Sequence, residues 1–418
     1  MKKTLLTLAL SIVVSAFAWA QQLSIITDEA GTQGAIQVLT MSDNGMYVAG
    51  TTETMAGFVM NVATGAIVYD EALDEFGCEM RGVSNDGIAV GINGNAIILN
   101  VNTGEKTELE TPANNTSIAN AITPDGSLIV GLCYHDGFVE NPAIWDQFGV
   151  LTLLPEPTPE ELGFTYNGSR AVAVSEDGKT IVGYIVDDMA GHPIIFWTLQ
   201  DNGEWLLDTT IATTLFEPAW GDKPYFTIEP LCISANGKYV GLNLAFNNEE
   251  FSTGLGLYNT ETNEISVIPS GDEFQQAAFY PSSVSNEGDI VGQIILGPTS
   301  RNAFFYQNGD EMVRTFAEAF PEEEFAALAN SPACIPTKIT PNSSKIAGWY
   351  IDLDTYNYYS FILTLSTEGI EDIVIDNNSS NAVPVAIYNT AGMLLDRPTP
   401  GVNIIMMSDG TSKKVLVK

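Results

Sequence analysis

Few residues in this chain are of a kind that does chemistry. Its 418 residues include two histidines, His135 and His192, and four cysteines, Cys78, Cys133, Cys232 and Cys334, against 52 acids. Neither histidine stands at a metal-ligand spacing from another histidine or a cysteine, and no two cysteines form a CxxC pair. A Gly-x-Ser-x-Gly elbow, a Walker loop and His-Glu-x-x-His are all absent. Carboxylates remain. A glycosidase or lyase needs only two facing ones, but with 52 acids the sequence does not single out a pair.

Three long segments are more selective: "PEPTPEELGFTYNG" from Pro155, "DTTIATTLFEPAWGDKPYF" from Asp208 and "FAEAFPEEEFAALANSPA" from Phe316. They place aromatics (Phe164, Phe216, Trp220, Tyr225) beside acids (Glu156, Glu217, Asp222), a mixture that suits sugars or cationic peptides. Pro159-Glu160-Glu161 and Pro321-Glu322-Glu323-Glu324 read as first turns of short helices. Such helices capping the structure with their own aromatics are the plainer alternative to a ligand rim.

The elements that must position these residues follow from a repeat. "VSEDGKTIVGY" from Val174 has six siblings, with the Ser or Thr at 42, 84, 123, 175, 234, 285 and 340, a mean step of about 50 residues. Asp-Gly or Asn-Gly supplies the positive φ of a tight hairpin turn, as at Asp86-Gly87, Asp125-Gly126, Asp177-Gly178 and Asn236-Gly237, with Glu287-Gly288 in the same place in the sixth copy. The hydroxyl and the acid or amide fix the turn. The template acids and amides (Asn44, Asp86, Asp125, Asp177, Asn236, Glu287, Asn342) therefore read as turn residues. No cofactor is expected, and calcium at these turns is the sharper alternative, without the dense oxygen spacing of an EF-hand loop. Apolar pairs such as Ile181-Val182 indicate strands covered on both faces, and the closing Gly a close backbone approach.

An apolar-aromatic strand, a turn and a further strand follow each hairpin. Seven units of four antiparallel strands, without long helices, define an all-β fold: a seven-bladed β-propeller spanning 21–365, with "LSIITD" or "AIQVL" available to close the ring. A β-solenoid wants shorter coils, and paired sandwiches do not explain a shared motif. In the propeller the three long segments fall between the third and fourth strands and open on one face. The repeat register makes the cysteines small buried residues, with a Cys78–Cys133 bridge the one pairing between neighbouring blades.

The first 20 residues, with Lys2 and Lys3, an apolar run and Ala18-Trp19-Ala20, read as a cleaved secretory leader, a membrane anchor being the weaker alternative. Removing it leaves a net charge of about −38. Nucleic acid and anionic membranes are excluded as partners by that charge, and no later segment spans a bilayer. Cationic ligands, divalent metal or mere solubility remain.

"VSNEGDIVGQIILGPTSRNAFFYQNG" resembles the HAF-type extracellular repeat, and "ITPDGSLIVG" and "VSEDGKTIVG" look like the hairpins of TolB-like propellers. That resemblance implies architecture rather than chemistry. After a polar linker at 366–384, residues 385–418 form a small β-module with turns at Ala391-Gly392, Pro400-Gly401 and Asp409-Gly410. It resembles the C-terminal sorting domain of the type IX secretion system of Bacteroidetes, at Ile387-Tyr388-Asn389, Gly392, Gly401 through Ile405, and Lys413, Lys414 through Lys418. The resemblance implies the outer-membrane secretion machinery as a partner and a secreted or surface location. The usual opening Asn-Pro strand is missing. The combined expectation is a non-enzymatic binding or scaffold protein for a protein or glycan, with a polysaccharide-acting hydrolase or lyase as the alternative.

Overall fold

In the computed structural model the described residues are 22–28, 36–135, 139–186, 191–216, 222–248, 252–270, 274, 277–297 and 300–365. In the tail they are 384–389, 394–395, 401–407 and 412–417. The chain divides into two compact units, Gln21–Leu365 and a second that contains Ser366–Lys418. The larger is a seven-bladed β-propeller. Six blades run consecutively at 36–70, 79–108, 117–153, 169–208, 225–268 and 278–315, each four antiparallel strands in chain order from the axis outward. The seventh combines Cys334–Ile339, Lys345–Ile351 and Tyr358–Thr364 with the first strand, Gln22–Ile26, which pairs antiparallel along Tyr358–Thr364. "LSIITD" thus closes the ring, and "AIQVL" begins the innermost strand of the first blade.

Hydrophobic burial follows this arrangement directly. Seven apolar clusters each lie between two neighbouring blades, including the seam between the seventh and the first, where Ile362 and Ala347 join Ile36, Val38 and Phe58. Strands with adjacent apolar residues are needed because both faces of every sheet are covered. The four cysteines sit in these clusters as buried free thiols, with Cys78, Cys133 and Cys232 pushed up to about 12 by burial. They are packing residues, and Cys78 and Cys133 form no bridge.

The hairpin template explains one end of the propeller. In the fourth blade, the Thr180 N–H donates to Ser175 Oγ (3.0 Å), and Ser175 Oγ donates to Asp177 Oδ1 (2.7 Å). The third blade repeats this at Thr123 and Asp125, and the fifth at Ser234 and Asn236. Gly126 and Gly178 take φ of 73° and 67°, where a side chain would be strained. Neighbouring turns are tied to one another: Asn44 donates to Asn85 (2.9 and 3.1 Å), Asn85 N–H to Pro124 O (2.8 Å), and Asn236 to Asn286 (2.8 and 3.2 Å). Among the described residues, no three of His, Cys, Asp and Glu converge on a metal site.

A second sevenfold feature has no sequence signature. Every innermost strand carries a β-bulge at the same place, occupied in turn by Leu39, Arg81, Asn120, Val172, Leu231, Ser282 and Thr337. Bulges sharpen local twist and re-aim a side chain, and all seven of these residues line a central cavity of about 200 Å³. Opposite the bulge, the closing Gly of the template approaches the innermost backbone. An added Cβ at Gly131 would lie on the Ile118 carbonyl oxygen, and at Gly183 on that of Arg170. The fifth blade differs: its turn has the same span as that of the fourth, but its glycine comes one residue earlier, so Leu242 rather than Gly241 stands opposite Pro230.

The tail unit is one antiparallel sheet of Pro384–Asn389, Leu394–Leu395, Gly401–Met407 and Ser412–Val417, in the order 2-1-3-4. Gly401 opens its strand opposite Val417, and Lys413 and Lys414 pair with Ile405 and Ile404. The leader, Gly392 and Lys418 lie outside the described residues.

Candidate functional site

The antiparallel course of each blade puts its hairpin turn at one end. The connections between blades, and the loops joining second to third strands, lie at the other. The three long segments belong to this second end, but their position differs from the sequence expectation. Each follows the fourth strand, after Leu151–Leu153, Trp205–Asp208 and Arg314–Thr315, and leads into the next blade. The fourth strands of two of these blades are only two or three residues long, which is why the sequence read shifted by one strand.

The aromatics of those segments do not form an exposed rim. Phe216 is 2% exposed and Tyr225 9% exposed; Phe164 is half-buried, with its ring 5.8 Å from Phe216. Phe316, Phe320 and Phe325 are likewise buried, filling the seam between the sixth and seventh blades. Short helices hold them: Pro159–Leu162 starts with a capping box between Thr158 and Glu161, and Phe316–Ala319 with one between Thr315 and Glu318. Glu322 leads into a 3-10 turn, Glu323–Phe325. The segments plug gaps between blades because an aromatic over a widening seam removes more apolar area from water than one left at the rim. Glu217 and Trp220 lie outside the described residues, and Asp222 is exposed.

Glu156 is half-buried, and burial raises its carboxyl above the ordinary value while a hydrogen bond from Ser169 Oγ (3.3 Å) opposes the rise. A raised acid means that the folded state binds the proton more tightly, so its charge destabilises the fold once the pH exceeds the ordinary 4.5. Glu156→Gln is therefore expected to raise the apparent Tm at pH 7, with the gain vanishing below about pH 4.5. Thermal scans across that range check the sign.

The exposed aromatics of this end come from the seventh, first and second blades instead. Phe76 is 82% exposed and Leu73 70% exposed, both on the connection "EALDEFG" from Glu71, and Met55, Tyr356 and Tyr358 stand open as well. The loop is held rather than loose. Buried Asn93 accepts from Leu73 N–H (2.8 Å) and donates to Asp70 Oδ2 (2.6 Å) and Glu71 O (2.8 Å). Asp74 Oδ1 accepts from Phe76 N–H (2.9 Å), and Cys78 N–H bonds Met55 O (2.8 Å). Lys106 anchors Asp70 from the neighbouring outer strand (2.8 Å). Backbone and side chains thus hold the loop that presents a phenyl ring to water, which costs roughly 1.5–3 kcal/mol of forgone burial.

Phe76 forms a crest between two clefts. One, of about 460 Å³, is walled by Asp74, Glu79, Arg81, Ile92, Ile118 and Tyr134. The other, of about 250 Å³, has Met55, Tyr358, Ile36, Gln37, Glu53 and Glu79. Apolar and acidic side chains line both.

Tyr134 carries the first cleft toward a polar cluster on the third to fifth blades. Arg170 pairs with Glu140 through both guanidinium arms, Nε at 2.6 Å and Nη2 closer, and its guanidinium stacks 5.2 Å from the Tyr184 ring. Tyr184 lies 4.6 Å from the His192 ring, and His192 Nδ1 is 3.6 Å from Glu229. Burial pushes the Tyr184 phenol up to about 12. The two histidines, far apart in sequence, therefore stand on adjacent blades. Arg81 is engaged by Glu79 (2.9 Å), and Lys338 by Asp43 (2.9 Å) at the opposite end. Arg81, Arg170 and Lys106 are thus each paired with a carboxylate of the chain itself.

The sequence does not single out Phe76: Leu73 at i−3 and Met80 at i+4 give it ordinary apolar spacing, and Asp70, Glu71, Asp74, Glu75 and Glu79 read as a solvated loop.

No family model matches the chain, and no curated protein is similar to it in sequence. Among solved structures it is similar to oligogalacturonate lyase from Vibrio parahaemolyticus, with a TM-score of 0.53 and 10% identity over 83% of this chain and 97% of that one. It is also similar to the β-propeller domain of Cps50 (Swd1) from Myceliophteria thermophila, with a TM-score of 0.47 and 10% identity over 81% of this chain and 99% of that one. A putative TolB from Agrobacterium tumefaciens matches at 0.43 and 12% identity, over 74% of this chain and 98% of that one. At such identities the first likeness is one of fold. Fold and clefts define a class, a propeller with an acidic, aromatic-crested face, and no narrower group.

Proposed function

We propose that this chain is an exported binding propeller without catalytic activity, and that its ligand seats on the Phe76 crest. The observation that carries the reading is a highly exposed ring on a loop fixed by Asn93 and Asp74, flanked by two ligand-sized clefts. Exposed aromatics held in advance lose little entropy on binding and form natural interface anchors. Export rests on the leader-like first 20 residues and on the tail's likeness to a sorting domain, through which the outer-membrane secretion machinery would pass the protein to the cell surface. Among the described residues no helix is long and apolar enough to cross a membrane.

The second reading, a polysaccharide-acting hydrolase or lyase, draws on the fold shared with oligogalacturonate lyase and on the half-buried Glu156, whose carboxyl burial raises above the ordinary value. Against it, Arg170 is clamped by Glu140, leaving that guanidinium unavailable to neutralise a uronate carboxylate. Screening residues 21–418 against glycan and peptide arrays, with product analysis of every bound oligosaccharide, separates the two. Binding without turnover is expected. Release of shortened or unsaturated sugars would establish the enzyme instead.

A further inference from the structure

The charge around the crest narrows the ligand class. Glu53, Glu71, Asp74 and Glu75 are exposed, and Glu79 lines both clefts. The nearby cations, Arg81 and Lys106, are already paired with Glu79 and Asp70. An apolar anchor ringed by unmatched carboxylates, on a chain of net charge −36, repels acidic partners and attracts basic ones. Met55, Ile92 and Ile118 give the cleft linings apolar surface, so the occupant must also present apolar groups. We infer that the Phe76 crest, read above as the binding site, receives a cationic polypeptide segment in which lysines or arginines alternate with large apolar side chains. Its apolar residues enter the clefts on either side of Phe76, and its cations meet Glu53, Glu71 and Glu75. A neutral sugar would satisfy the ring but leave those carboxylates unanswered.

The test uses the full mature chain and three fluorescent probes: a 12-residue peptide alternating Lys with Leu and Phe, the same peptide with Glu for Lys, and a neutral β-glucan hexasaccharide. The cationic peptide is expected to bind, and Phe76→Ala to weaken it at least tenfold with the apparent Tm unchanged. The combined Glu53→Gln, Glu71→Gln and Glu75→Gln variant is expected to weaken it several-fold. Raising salt from about 0.05 M to about 0.5 M should weaken wild-type binding at least tenfold, as screening shortens the reach of exposed charge. Binding of the cationic peptide that ignores Phe76→Ala would be general attraction to an acidic protein and would overturn the inference. Phe76-dependent binding of the hexasaccharide or the acidic peptide, without the cationic one, would keep the crest as the site and overturn the ligand class.

Discussion

Gly131→Val is expected to destabilise the propeller by about 4 kcal/mol and to lower its apparent Tm by roughly 8 °C. The template's closing Gly sits opposite the bulge at Asn120, and there a Cβ would occupy the Ile118 carbonyl oxygen. That backbone cannot retreat easily, because Ala119 lies in the core shared by the second and third blades and Asn120 Nδ2 donates to Ala171 O (2.9 Å) on the next blade. Gly104→Ala provides the comparison. Gly104 has φ of 72° but nothing within 4 Å of an added Cβ, so the change costs only about 1 kcal/mol of backbone strain. Thermal or chemical denaturation of the two variants distinguishes the sources. Equal losses would mean that close approach at the bulge has no weight.

Phe76→Ala carries the other large expectation, on binding rather than stability. Burying a phenyl ring against a ligand is worth roughly 1.5–3 kcal/mol, and each 1.4 kcal/mol is tenfold in affinity. Removing the ring should therefore weaken the ligand by about ten- to a hundredfold. Stability should hold or rise slightly, because the ring is 82% exposed and the loop's hydrogen bonds use backbone, Asn93 and Asp74. Asn93→Ala makes a useful contrast: it leaves Phe76 in place but frees its loop, and so loses affinity through disorder. A Phe76→Ala protein that binds as the wild type does would remove the crest from the account.

The fold was largely legible in the sequence because the hairpin turn is local chemistry. Ser175, Asp177 and Gly178 act within a few residues of one another, and seven copies at one period leave little choice of architecture. The bulge was not legible, since residues as unlike as Arg81, Val172 and Ser282 fill it and their shared role is set by a partner strand. The long segments were found but placed one strand early, because outer strands such as Leu151–Leu153 and Arg314–Thr315 are too short for a pattern. Their aromatics were credited to a rim because Phe216 and Tyr225 look the same in sequence whether they face solvent or a seam; the seam exists only once the blades are assembled. Phe76 is the converse case. The acids around it read as an ordinary solvated loop, and only the Asn93 anchor reveals that the loop is held.

The central claim, that the acidic aromatic crest of the first and second blades is where a ligand docks, is tested most directly by a hydrogen-exchange footprint. The mature chain would be measured with and without its tightest array ligand at saturation. Slower exchange across 71–79 and at 53–56, with 155–168 and 316–333 unchanged, is the expected result. Protection confined to 155–168 or 316–333, with 71–79 unaffected, would place the ligand over the plugged seams and contradict it.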